Sequence, residues 1–286
     1  MHLINELFKS ENLTDRPRIW WCPTGPLALL PLHAAGIYVA EGPRGPCISD
    51  FVVSSYTPTI SILGNQIKPA MSTTDGTPTR LLLISQPSTP GLSSILGTLK
   101  ETRGIEDMME GQHIQSLWLN HDAATTARVT EEMQTHSWVH FACHAIQDKD
   151  PLKSGIHLYD RRLELLEMMK QKILQADHVF LSACQTGTGD EKLSDEVAHI
   201  AAGMLAVGYR GVVGTMWSIS DARGPEIAHS FYEHILNASG ENVGNGRLDS
   251  SRAARALDHS TREIRKKDGD TERALLTWVP YVHFGL

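Results

Sequence analysis

Two unbroken apolar runs, each closed by a residue able to do chemistry, constrain the fold of this chain more than any other feature. The first is Trp138-Val139-His140-Phe141-Ala142-Cys143, followed by His144; the second is His178-Val179-Phe180-Leu181-Ser182-Ala183, followed by Cys184. Short continuous runs of this kind suit strands covered on both faces, as in a parallel sheet between helices. The order strand, His144, helix, strand, Cys184, helix, strand follows the arithmetic of βαβ units. Adjacent parallel strands would bring an imidazole and a thiol together at the carboxyl edge of the sheet, where open α/β sheets place their chemistry.

The rest of the chain alternates in the same way, which argues for an α/β fold. Arg18 to Cys22 reads as a short strand ended by the turn Pro23-Thr24-Gly25-Pro26, and Phe51-Val52-Val53 and Leu81-Leu82-Leu83-Ile84 as buried strands. Pro69 to Pro78 is a breaker-rich loop. Leu92, Ile95, Leu96 and Leu99 recur at helical spacing, as do Val129 and Met133 after a cap at Asp122. The clearest helix runs from about Asp195 to Tyr209, followed by a strand over Gly211 to Trp217 and a helix carrying Ile227, Phe231 and Ile235. The pattern is weaker before residue 115, which sets a smaller N-terminal lobe (1–115) apart from residues 116–286. A Gly- and Ser-rich linker lies at about 239–250.

A thiol attacks as thiolate, and an unperturbed cysteine with a pKa of about 8.5 is mostly protonated at neutral pH. An imidazole within reach can take that proton. After Cys184, Gln185-Thr186-Gly187-Thr188-Gly189 allows a tight turn whose N–H groups, with that of Cys184, could converge on an oxyanion. The competing reading of Cys184 is a buried core thiol, the reading preferred for Cys143, which points away from His144 on an extended strand. Zinc held by His140, His144 and Cys184 lacks the close-set cysteines of a structural site, so no metal is expected. Asp221, beyond the strand that ends near Trp217, would line a pocket for a basic side chain, cap the segment opening at Ala222, or pair with Arg223. Trp217 reads as packing or as a pocket wall.

Other classes fall away. The net charge of −7 gives no reason to expect nucleic acid or an anionic membrane. No apolar run approaches the roughly 18 to 20 residues of a membrane span, and the first residues lack the features of a signal peptide. Four cysteines in 286 residues are too few for a disulfide framework, so reduced thiols in a cytoplasmic protein are expected. Gly187-Thr188-Gly189 has neither the third glycine of a dinucleotide fingerprint nor the Lys of a P-loop, and no cofactor is expected.

The chain resembles the CHAT family of caspase-like domains, which often follow tetratricopeptide repeats, and more distantly the separase protease domain. The resemblance runs from Trp20-Trp21-Cys22-Pro23-Thr24-Gly25-Pro26-Leu27 through Leu30-Pro31-Leu32-His33-Ala34-Ala35-Gly36, His140-Phe141-Ala142-Cys143-His144, Leu181-Ser182-Ala183-Cys184-Gln185-Thr186-Gly187 and Gly211 to Asp221, and closes with Trp278 to Gly285. It implies a caspase-like, mostly parallel sheet flanked by helices, and a cysteine endopeptidase dyad with His144 as base and Cys184 as nucleophile. By the same resemblance Ala145 and Cys184 are the oxyanion donors, and Asp221, Trp217 and Gly187 line the substrate site, with Asp221 favouring a basic residue before the cut. Ala145 stands where many relatives have Gly, and Gln185 where Glu is common. The implied partners are a protein substrate and a tetratricopeptide region or partner. The alternative is a catalytically silent regulatory or adaptor domain that binds a protein partner.

Overall fold

The computed structural model of the chain describes residues 16–39, 45–67, 78–146, 148, 150–171, 173–185, 196–219, 221–237, 247–269 and 271–286; for residues 65–67, 183–185 and 196–199 it describes the backbone. The loop expected over Pro69–Pro78 falls almost wholly outside these residues, as does most of the linker, including Ser239 to Gly246.

In chain order the elements are β1 (Arg18–Trp21), β2 (Val53–Tyr56), α1 (Ile60–Ile67), β3 (Arg80–Ser85), α2 (Gly97–Gly111), β4 (Gln115–Asn120), α3 (Thr126–Met133), β5 (Trp138–Ile146), β6 (Gly155–His157), β7 (Arg162–Glu164), α4 (Leu165–Met169), β8 (His178–Gln185), α5 (Glu196–Val207), β9 (Gly211–Thr215), α6 (Gly224–Asn237), α7 (Ala253–Asp268), α8 (Glu272–Trp278) and β10 (Tyr281–Gly285). Among the described residues, ten strands join one sheet in the order β1-β2-β10-β9-β8-β5-β3-β4, with the β6–β7 hairpin added beside β5. Its central ladders, β4–β3–β5–β8–β9, are parallel, and β10 closes antiparallel on β9. The expected α/β fold with a mostly parallel sheet between helices is the one observed.

The period-2 alternation of the strands sorts their side chains into two cores. Leu82, Ile84, Val139, Phe141, Cys143, Val179, Leu181 and Val212 pack on one face with Val129 and Met133 of α3 and Ile200 and Met204 of α5. Leu81, Leu83, Trp138, Phe180 and Val213 pack on the other with Ile105 and Met109 of α2, Phe231 and Ile235 of α6, and Leu257 of α7. Cover on both faces is why these strands read as apolar runs without polar alternation.

Some boundaries differ from expectation for local reasons. Leu92, Ile95 and Leu96 precede α2 rather than belong to it. α3 is capped by Thr125, whose hydroxyl accepts from the Arg128 N–H, while Asp122 sits in a separate 3₁₀ turn. The strand expected at Phe51–Val53 begins at Val53 because residues 48–50 form a 3₁₀ turn closed by Asp50, whose carboxylate accepts from the Cys47 N–H at 2.9 Å.

Candidate active site

Three strands that run the same way, β3, β5 and β8, end together, and the loops that follow them form one edge of the sheet. The β5–β8 ladder runs in register from Trp138 opposite His178 to Ala145 opposite Gln185, and within it His144 stands opposite Cys184. Partners on neighbouring strands are about 4.8 Å apart, and partner positions share a face of the sheet. The two positions singled out by the sequence are therefore neighbours at the carboxyl edge, on the face packed by α2 and α6.

His144 is 1% exposed, and its Nε2 lies 2.8 Å from the carbonyl oxygen of Ser93 in the β3–α2 loop. A carbonyl can only accept, so Nε2 carries the proton, and Nδ1 is the basic nitrogen of the neutral ring. The loop that supplies the carbonyl is tied at both ends. Gln86 N–H donates to the Ala142 carbonyl at 3.0 Å, and Ile95 N–H donates to the Pro87 carbonyl at 3.0 Å. No local pattern marks Ser93, because it acts through its backbone.

Further back on the same face is a buried polar cluster. His140 Nε2 is 3.0 Å from Glu101 Oε1 of α2, with the two side chains 0% and 3% exposed, and the Tyr232 hydroxyl lies 3.3 Å from His140 Nδ1. Phe180 stacks on the His140 ring at 5.0 Å. Both nitrogens of His140 are thus engaged by α2 and α6. Cys143 is fully buried on the opposite face; burial, with the Glu101 carboxylate as a lesser cause, raises its thiol pKa above the ordinary value. That environment suits the core role read for it from the sequence.

Ala145 is 7% exposed and lies between two strands, opposite Gln185 of β8 and opposite Ile156 of β6. His157 of β6 approaches the same edge. Its pKa is lowered, first by burial and then by the charges of Arg162 and His144. Trp217 is half-buried against the second core, and its indole N–H has no partner among the described residues. Gly187 lies outside the described residues.

Asp221 is placed differently from each local alternative. Its Oδ2 accepts from the Gly97 N–H at 2.9 Å, so it caps α2 across 124 positions of sequence rather than the segment that follows it. Arg223 pairs instead with Glu226 at 2.9 Å and Asp268 at 3.0 Å. The approach of Asp221 to α2 requires a glycine at 97, because a Cβ there would stand 2.2 Å from the Asp221 carbonyl oxygen and 2.6 Å from Oδ1.

A comparison with curated proteins finds no match. Among solved structures, the fold is similar to that of the Arg-specific cysteine proteinase gingipain R (RgpB), with a TM-score of 0.56 and 12% identity over 99% of this chain and 66% of that one. The complex of Porphyromonas gingivalis RgpB pro- and mature domains gives 0.57 and 11%, over 99% and 67% of the two chains. The Saccharomyces cerevisiae separase–securin complex gives 0.53 and 13%, over 84% of this chain and 14% of that one. The chain thus spans about two thirds of the gingipain chains and a small part of separase, and at these identities the likeness is one of fold. The CHAT domain model matches residues 2–286, and the chain belongs to the CHAT domain family.

Proposed function

We propose that the chain is a cysteine endopeptidase of caspase and separase type. The observation that carries this reading is the register of His144 against Cys184 at the carboxyl edge, with His144 oriented by the Ser93 carbonyl. In the proposed reaction His144 Nδ1 takes the Cys184 proton, and the thiolate attacks the scissile carbonyl carbon. The tetrahedral intermediate collapses to a thioester as the amine leaves with the proton from His144. Water, deprotonated by His144, then cleaves the thioester and restores the thiol. The N–H groups of Cys184 and Ala145 are the proposed oxyanion donors. Asp221, Trp217 and Gly187 are proposed to line the substrate site, with the Asp221 carboxylate favouring Arg or Lys before the cut. The gingipain whose structure is similar is described as Arg-specific, which fits this preference.

The proposed substrate is a protein, and a tetratricopeptide region or partner would present it. Cys22, Cys47 and Cys143 are all unbridged, which supports a reducing, cytoplasmic setting. Among the described residues no helix is long and apolar enough to cross a membrane.

A second reading, a silent regulatory or adaptor domain, draws support from Ala145, whose backbone lies between two ladders rather than at an open edge. The pH profile of iodoacetamide labelling separates the two, read by mass spectrometry at limiting reagent with exposed Cys22 as an internal reference. Labelling of Cys184 that outpaces Cys22 well below pH 8.5 and weakens in His144→Ala is the expected result. A Cys184 thiol no faster than Cys22 and indifferent to His144 would favour the silent domain. Cys184→Ala is expected to abolish cleavage with the fold intact.

A further inference from the structure

The β3–α2 loop, residues 86–96, holds the carbonyl that orients His144, and among the described residues two hydrogen bonds to distant segments flank it. One is local to the base: Gln86 N–H donates to the carbonyl of Ala142, two residues before His144 on β5. The other is remote: Gly97, the first residue of α2, donates to Asp221 in the β9–α6 loop. Leu96 provides no side-chain cap for α2, and among the described residues the side chain that holds that amide is Asp221. One turn further on, the Glu101–His140 contact fixes the body of the helix independently. Loss of Asp221 would therefore release the first turn of α2 and the Ser93 loop while leaving the helix docked.

Resting on the peptidase reading above, we propose that Asp221 is a positioning residue for the base. It holds the Ser93 carbonyl where it sets the tautomer and orientation of His144. The strand end expected to read the substrate side chain then also sets the reactivity of the dyad, and a basic side chain seated on Asp221 acts on both.

The test uses no substrate. Labelling of Cys184 by iodoacetamide is followed against pH in the wild type, Asp221→Ala, Asp221→Asn and Gly97→Ala, each first shown to be folded by thermal unfolding. Asp221→Ala and Gly97→Ala are expected to slow labelling near pH 7 by about tenfold, since small misplacements of a catalytic group have effects of this order or larger. The inflection should move toward that of Cys22. Asp221→Asn, whose amide oxygen still accepts from Gly97, is expected to keep the wild-type profile. Gly97→Ala retains the carboxylate and carries the test if Asp221→Ala does not fold. A carboxylate that only binds substrate would leave every profile unchanged, and that result overturns the proposal. Equal slowing in Asp221→Asn overturns it too, because charge rather than the tether would then be responsible. An activated wild type with indifferent variants removes the positioning role alone, whereas an unactivated wild type removes the peptidase reading and this role with it.

Discussion

His140 and His144 lie on one strand and one face of the sheet, yet their surroundings assign them different work. His144 meets a backbone carbonyl at the edge, and that contact leaves a basic nitrogen in the ring. His140 is closed in by Glu101, Tyr232 and Phe180 and packs as part of the core. Removing one member of a buried pair leaves the other uncompensated, whereas replacing both by apolar groups is often tolerated. Glu101→Ala is therefore expected to destabilise the protein by about 3 kcal/mol, and the double change Glu101→Leu, His140→Leu by much less. Urea unfolding of the two variants checks this; equal losses would show that the contact adds nothing beyond packing. Cys143 and His144 were separable from the sequence by strand alternation alone. Ser93 was not, since a backbone acceptor leaves no trace in residue type.

At the scale of elements, the strands were more legible than the helix ends. Runs such as Leu81–Ile84 and His178–Ala183 carry their own signal, and β3 and β8 enclose them with short extensions. The start of α2 carries no such signal, because its cap is Asp221, 124 positions away. The C-terminal strand β10 depends on an equally specific backbone contact. Gly285 has φ +86°, and a Cβ there would stand 2.3 Å from the Arg210 carbonyl oxygen. Gly285→Ala is expected to cost about 2 kcal/mol, from backbone strain and the clash together. Thermal unfolding checks the loss, and a variant with an unchanged midpoint would mean that β10 can shift without penalty.

Across the whole molecule, burial of neutral imidazoles links stability to pH. Burial holds His33 down to about 4 and His178 down to about 3, with the Val279 carbonyl partly opposing it at His33. His283 is lowered as well, by burial and then by the charges of Arg18 and His178. In the unfolded chain these groups titrate near 6.5, so below that pH the unfolded state binds more protons than the folded one. Their contribution is present above about pH 6.5 and is lost as pH falls toward the folded values. Between pH 7 and 5 the loss is expected to be roughly 1 to 2 kcal/mol for each of His33 and His178. Urea midpoints that stay level across that interval would contradict it.

What the sequence determined by itself was the material of the sheet and the two positions, His144 and Cys184, that close its apolar runs. Apolar runs specify strands buried on both faces, and a side chain at the end of such a run must emerge at the carboxyl edge whatever surrounds it. Tertiary structure alone decided which strands are neighbours, in what register, and what each polar group meets there. The pairing of His144 with Cys184, the Ser93 carbonyl on the imidazole, and Asp221 on the first amide of α2 all join segments far apart in the chain. Such contacts follow from how helices pack across the sheet, and no local pattern of residues encodes that.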